Sequence, residues 1–310
     1  MLFLRNVKEL YNGTAPNESA IAFRVDIVID AGVIKNVYPH RHEESIGDSH
    51  TVVDASRFTV TPGLIDCHSH ITALGMSSTA VDIMNGQTHL LWVEKILYST
   101  LVDAGVTTIR DLGGATHQMK RLVEEGTIIG PRLKIAISML STTGGHADIR
   151  GFDRCHATIS RLWPEVPGRP SCIVDGPWEC RKRVREIAAC GADLIKICTS
   201  PGVASASSRF EGRDFMPAEI EAICDEAAAR GLKVAAHAHS HSGITLAILN
   251  GVKDIQHISF MDERLVEEAH KHGCIVTPTS WILHAVRDSG VLSPSAEERV
   301  KLILDAHTKA

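Results

Sequence analysis

The sequence predicts an α/β protein: a TIM-type (β/α)8 barrel with seven strands present and the eighth missing, behind a small β-rich unit. Three observations predict it. The texture changes near residue 60, from β-rich segments broken by Asn, Gly and Asp to short apolar runs alternating with helical patterns. Seven such apolar runs follow in order. Several of them end in histidine, where a buried strand normally ends in turn residues.

Residues 1–59 contain "LFLRNVKEL", "AFRVDIVIDAGVIKNVYP" and "TVVDASRFTVTPG", partly alternating and β-rich, and form the first unit. Residues 60–310 form the second. Its strands are expected at 63–68, 106–112, 132–138, 192–198, 233–239, 254–259 and 274–280. Helices are expected between them, among them 217–231 and 262–273, the second stopped by Gly273. The last helical pattern, "SAEERVKLILDAHTKA", runs to Ala310 with no strand after it.

Composition excludes several classes. With 310 residues and 44% hydrophobic side chains, the chain can bury a full core and is not disordered. A net charge of −5 gives no pull towards nucleic acid or an acidic membrane surface, and "RKRVR" at 181–185 reads as a solvated helix face. No run approaches the ~18 apolar residues of a membrane span. The N-terminus lacks a signal-peptide pattern. The cysteines are scattered without a C-x-x-C pair, so they are expected to be reduced thiols in a cytoplasmic protein.

The chemistry begins at "PGLIDCHSHI", residues 62–71. His68 and His70 lie two apart and share one side of a strand, and at a barrel strand's end that side is the mouth where active sites gather. Such a pair suits a metal. Lys196 sits in "LIKIC", flanked by isoleucines. An ammonium there either reaches water or a carboxylate, or does not stay an ammonium. As a neutral amine it would react with carbon dioxide to give a carbamate, an anionic ligand able to bridge two metals. His237 in "VAAHAHS" and His257 in "DIQHIS" each end a further strand. His146 lies in "GGHAD", where two glycines suggest a mobile loop, and His239 shares a strand face with His237. His89, His117 and His241 carry no pattern, and Asp111 reads equally as support for a ligand or as packing.

These motifs together resemble the amidohydrolase superfamily, in particular its binuclear-metal members. "PGLIDCHSH", "LIKIC", "AAHAHS" and "QHIS" fall on matching strands in matching order. "RDLGG" and "GGHAD" are similar to the branch of imidazolonepropionase-related, Xaa-Pro dipeptidase-like and ochratoxin-degrading enzymes. The resemblance implies that the first unit is part of a small β-sandwich. It implies that His68 and His70 hold one divalent metal and His237 and His257 a second, with carboxylated Lys196 bridging and zinc favoured. A metal-activated hydroxide would then cleave an amide or peptide-like C–N bond of a small or dipeptide-like substrate. His146 and His239 are expected to act on substrate. Substrate choice is expected to lie in the loops 139–180 and 199–216, and a homo-oligomer is left open.

One departure stands out. The family carries an aspartate on strand 8 as ligand and proton shuttle, and the chain stops short of that strand. It therefore reads as C-terminally truncated and is expected to be inactive as written. Two rival readings are a non-catalytic scaffold or binding protein, and a heterocycle deaminase or cyclic amidase on the same fold. Four imidazoles with a buried lysine argue against the first, and the lysine against the deaminase.

Overall fold

A computed structural model of the chain describes residues 1–13, 21–41, 47, 49–73, 89–148, 166–202, 211–290 and 294–310. The chain divides into two compact units, Met1–Leu64 and Ile65–Ala310.

The first unit is built on strands β1 (Leu2–Tyr11), β2 (Ile21–Asp30), β3 (Val33–Pro39), β4 (Thr51–Asp54) and β5 (Thr59–Val60). They form one sheet of order β3-β2-β1-β4, with β5 also on β1. The β1–β2 and β2–β3 pairs are antiparallel, and β4 and β5 run parallel to β1. Val7, Val25, Ile27 and Ala55 close its core. The register of β1 on β2 shifts between Leu4 and Val7, where Asn6 takes a φ of 54°. A bulge needs this left-handed residue, and Asn tolerates it.

The second unit alternates strands and helices. Its strands are β6 (Leu64–Ser69), β7 (Val106–Asp111), β8 (Arg132–Ile135), β9 (Met139–Leu140), β10 (Leu194–Cys198), β11 (Lys233–Ala238), β12 (Asp254–His257) and β13 (Ile275–Thr277). Its described helices are α1 (His89–Val102), α2 (His117–Glu124), α3 (Pro177–Ala189), α4 (Pro217–Ala228), α5 (His241–Leu249), α6 (Glu263–Lys271), α7 (Ser280–Asp288) and α8 (Pro294–His307). Local chemistry sets several helix starts. Thr116, Ser240 and Asp262 accept backbone N–H bonds from Met119, Gly243 and Leu265. Gly273, at a φ of 63°, follows the end of α6 as the sequence predicts.

The strands form two runs, β6-β7-β8 and β9-β10-β11-β12-β13, parallel from β7 to β8 and throughout the second run. The one strand expected at 132–138 is in fact broken. Ile137 takes a φ of 66°, and Met139–Leu140 forms a separate strand on β10. A β-branched residue gives no sequence warning of such a break. Asp193 joins the two runs: its N–H donates to the Ile135 carbonyl at 2.8 Å, and its carboxylate accepts the Ile135 N–H at 2.9 Å. Apolar side chains of β8 to β12 pack against α3 to α6 in one buried cluster that includes Ile135, Ile195, Ile197, Ile220, Ile223 and Ile255.

The strands expected at 106–112, 233–239, 254–259 and 274–280 end early, at Asp111, Ala238, His257 and Thr277, while that expected at 63–68 runs on to Ser69, so His70, His239 and Ser259 stand just beyond strand ends. The seven described cysteines are free thiols, and Cys155 lies outside the described residues. Among the described residues no helix is long and apolar enough to cross a membrane.

Candidate metal centre

Strand β6 delivers His68 and, one residue past its end, His70. The two rings meet edge-on, with centroids 5.4 Å apart. The rings of His68 and His257 are 4.7 Å apart, those of His257 and His237 4.5 Å, and those of His257 and His239 4.5 Å. His146 stacks flat on His237 at 4.0 Å. The six histidines singled out in the sequence thus form one continuous cluster. His237, His239 and His257 offer ligand nitrogens all within 4.8 Å of one another. The Lys196 side chain is fully buried on β10, where its residue pairs with Ala235 of β11, and its charge acts on all six rings.

Strand alternation alone would place Gln256 and His257 on opposite faces of β12. His257 takes a φ of 74°, and Ile258 one of 52°. This turn out of the pleat brings His257 to the side Gln256 already faces. Its ring nitrogen Nδ1 then lies 2.7 Å from the Thr279 hydroxyl, itself on a left-handed residue. Backbone strain of this kind persists only where the surroundings hold it.

Burial makes the rings neutral. It is the first cause in each case, reinforced by the neighbouring cations. His70 is pushed down to about 4, and His146 and His239 to about 3. His68, His237 and His257 are held well below the ordinary imidazole value. Neutral imidazoles keep a lone pair, the form that binds metal. The tautomers follow from the partners. His68 Nδ1 lies 2.7 Å from Gln256 Oε1, and His70 Nδ1 lies 3.0 Å from the Gly113 carbonyl. Both partners are acceptors, so each Nδ1 carries the proton and each Nε2 keeps its lone pair.

Two nitrogens of the site break the usual rule that buried polar atoms are paired. Lys196 Nζ and His237 Nε2 are buried without a hydrogen-bond partner among the described residues. Burial pulls the Lys196 ammonium down to about 8. Two orphaned nitrogens among neutral imidazoles suit a divalent metal held by nitrogen and oxygen donors.

Several supporting residues carried no sequence signal. Asp214 Oδ2 accepts the His146 N–H at 2.6 Å and the Ser141 hydroxyl at 3.4 Å. The glycines of "GGHAD" therefore do not make a mobile loop. A Cβ on Gly145 would lie 2.4 Å from Ser141 Oγ and 2.7 Å from Asp214 Oδ2, so Gly145 serves close packing. Asp111, which the sequence left between support for a ligand and packing, accepts N–H bonds from Ile71, Gly113 and Ala115 and so pins the chain that follows His70. Burial pushes Asp111 up to about 7, against the pull of those three N–H groups. Of the histidines read as ordinary, His241 sits exposed beside Asp262, and His89 meets the Thr72 carbonyl. Much of the expected substrate loops, 149–165 and 203–210, lies outside the described residues.

Parallel strands here gather neutral imidazoles around a buried lysine, a set of donors suited to a divalent metal. Residues 59–309 match the amidohydrolase family, and the chain belongs to that family. It is 31% identical to ochratoxinase of Aspergillus niger over 284 residues, covering 88% of this chain and 58% of that protein. The chain thus spans under two thirds of that relative's length. It is 24% identical to imidazolonepropionase of Ectopseudomonas mendocina over 282 residues, 85% of this chain and 66% of that protein. Among solved structures it matches a prolidase complexed with N-methylphosphonate-L-proline at a TM-score of 0.86 and 29% identity, covering 99% of this chain and 74% of that one.

Proposed function

We propose that these residues form the centre of a metal-dependent hydrolase that cleaves an amide or peptide-like C–N bond of a small or dipeptide-like substrate. The reading is supported by the family and by relatives named ochratoxinase and prolidase. The observation that carries it is Lys196 Nζ, buried and unpartnered in a ring of neutral imidazoles. His68 and His70 would hold one divalent metal and His237 and His257 a second, with Lys196, as a carbamate, offering oxygen donors between them. The carbamate would form as the neutral amine adds to carbon dioxide: the N–C bond forms, one C=O π bond opens to give the carboxylate, and one N–H proton is released to water. Zinc is the favoured metal, since imidazole and oxygen donors suit it. When bound, the metals supply Lewis acidity towards water and the scissile carbonyl.

The other assignments concern protein groups alone. His146, held by Asp214, donates an N–H to the substrate's carbonyl oxygen as charge develops there. His239, whose Nδ1 lies 2.8 Å from the Ser259 hydroxyl and whose ring meets that of His237 edge-on, holds the substrate. The buried walls keep bulk water out. We further propose a TIM-type barrel over 60–310, a sandwich contribution from 1–59, and work in the cytoplasm, where free thiols persist.

The test is metal analysis of the purified protein beside hydrolysis of a panel of Xaa-Pro and other dipeptides and cyclic amides. Bound zinc with turnover of a linear amide supports the reading. Absence of bound metal after zinc loading overturns it. His146→Ala should lower turnover on the order of 10²-fold, as loss of an oxyanion donor does, at unchanged metal content.

A further inference from the structure

Beneath His68 lies a chain of polar groups to which the sequence patterns assign no role. The Gln256 side chain is fully buried, and its Oε1 meets His68 Nδ1 at 2.7 Å, linking residues 188 apart in sequence. Its amide nitrogen donates to Asp254 Oδ1. Asp254 Oδ2 accepts from Arg110 Nη1. Arg110 is anchored in turn by its Nε on the Cys67 carbonyl at 2.7 Å and by Nη2 near the Thr277 hydroxyl at 3.4 Å. Asp254 and Gln256 share a face of β12 because they are two residues apart.

An amide has two ends, and flipping it exchanges an acceptor for a donor. With Oε1 on His68 the imidazole must carry its proton on Nδ1, which leaves the Nε2 lone pair free. With the NH2 group there instead, His68 would have to accept at Nδ1, the proton would move to Nε2, and that lone pair would be gone. Gln256 alone has no preference. Asp254 supplies one, since a carboxylate only accepts and so draws the NH2 end to itself. Arg110 occupies the other Asp254 oxygen, which leaves Oδ1 to the amide.

We propose that Gln256 is a positioning residue that sets the tautomer of His68, and that the Arg110–Asp254 pair sets the orientation of Gln256. This rests on the reading of His68 as a metal ligand. A partner of this kind typically changes metal affinity by about 10–100-fold when removed.

The structure suggests a swap that separates this role from packing. In Asp254→Asn the Asn oxygen stays on Arg110 and its NH2 faces residue 256, so the Gln256 amide turns its own NH2 towards His68. In the double variant Asp254→Asn/Gln256→Glu the net charge returns. The Asn oxygen takes the Arg110 hydrogen bond, its NH2 donates to the new carboxylate, and that carboxylate offers His68 only an acceptor. The readouts are zinc affinity by chelator competition and the His68 tautomer by long-range 1H–15N correlation in metal-free, 15N-histidine protein. The His68 signal is assigned by its loss in His68→Asn.

The expected result is an Nδ1–H His68 in the native chain, a 10–100-fold weaker zinc affinity with an Nε2–H form in Asp254→Asn, and recovery of both in the double variant. Gln256→Met, which removes no charge, gives the same loss and is the variant to read where Asp254→Asn does not fold. Native affinity and tautomer in Gln256→Met overturn the proposal, as does a folded double variant without recovery. Full zinc content in His68→Asn overturns instead the ligand reading on which it rests. Loss of zinc in His68→Asn with Gln256→Met unaffected overturns the relay alone.

Discussion

Lys120 and Lys196 serve the start and the middle of one strand and meet opposite fates. At the start of β10, Lys120 Nζ contacts both carboxylate oxygens of Asp193 at 2.8 and 2.9 Å, and the same carboxylate accepts the Ile135 N–H. Three residues on, Lys196 Nζ is fully buried and has no hydrogen-bond partner among the described residues. Both side chains lie on the same scaffold, so the fold is able to pair a lysine with a carboxylate there. A buried cation with only a structural role is normally given such a partner. That Lys196 lacks one, while its neighbours are neutral imidazoles, is the ground for the proposed division of β10 into stability at Asp193 and chemistry at Lys196.

The largest test of that division is Lys196→Ala. We expect loss of at least one equivalent of metal and of hydrolysis, with partial return of both when a short carboxylic acid is added to stand in for the missing carbamate. Native metal content in this variant would remove the basis for the comparison. Next come the histidines. His68→Asn and His257→Asn should abolish hydrolysis, while His241→Asn, exposed beside Asp262, should leave it within the native range. Equal sensitivity at His241 would mean that strand position does not separate ligands from bystanders.

The proposed site residues were more legible in the sequence than their supports. His68 and His70 two apart, a lysine inside "LIKIC", and histidines at two further strand ends are local patterns, and local patterns carry strand periodicity. Gln256 carries none: its meaning is a contact across 188 residues, which one sequence does not encode in any window. Asp214 and Thr279 are invisible for the same reason, since each acts on a histidine far away in the chain. The break at Ile137 and the left-handed turn at His257 defy the preferences of those very residues, and tertiary contacts impose them. The "GGHAD" loop misled in another way. Its glycines suggest freedom, whereas Gly145 is small because Ser141 and Asp214 crowd it.

Lys196 also makes a prediction about stability, and its sign opposes that of the metal. In metal-free protein burial lowers its value to about 8 from an ordinary 10.5. Below the folded value both states hold the proton, and the folded state bears the full cost of a buried ammonium. Between the two values the unfolded chain binds more protons, so stability rises with pH. The gap corresponds to about 3 kcal/mol. Lys196→Met, which keeps the apolar stem and removes the charge, should therefore be more stable than the native chain at pH 7 in chelator. Urea unfolding should show that advantage shrinking towards pH 10.5. A Lys196→Met chain less stable than native at pH 7 would mean that the ammonium has found a partner after all.

The smallest effect belongs to the other lysine. Lys120 is only partly buried, with 14% of its side chain exposed, and Asp193 keeps 19%. Solvent and salt screen such a pair, so Lys120→Met should cost about 1 kcal/mol or less, and less again in high salt. Lys134, at 3.5 Å from the same carboxylate, softens the loss further. Asp193→Ala should cost more, about 1–3 kcal/mol, because it also strips the buried Ile135 N–H of its acceptor at the joint between β8 and β10. Neither change touches a site histidine, so both variants should bind metal like the native chain. The decisive measurement is metal content and thermal unfolding on the same samples. If Lys120→Met lost metal in proportion to its loss of stability, the start and the middle of β10 would be one cooperative unit. Lys196 would then owe its isolation to the fold rather than to chemistry.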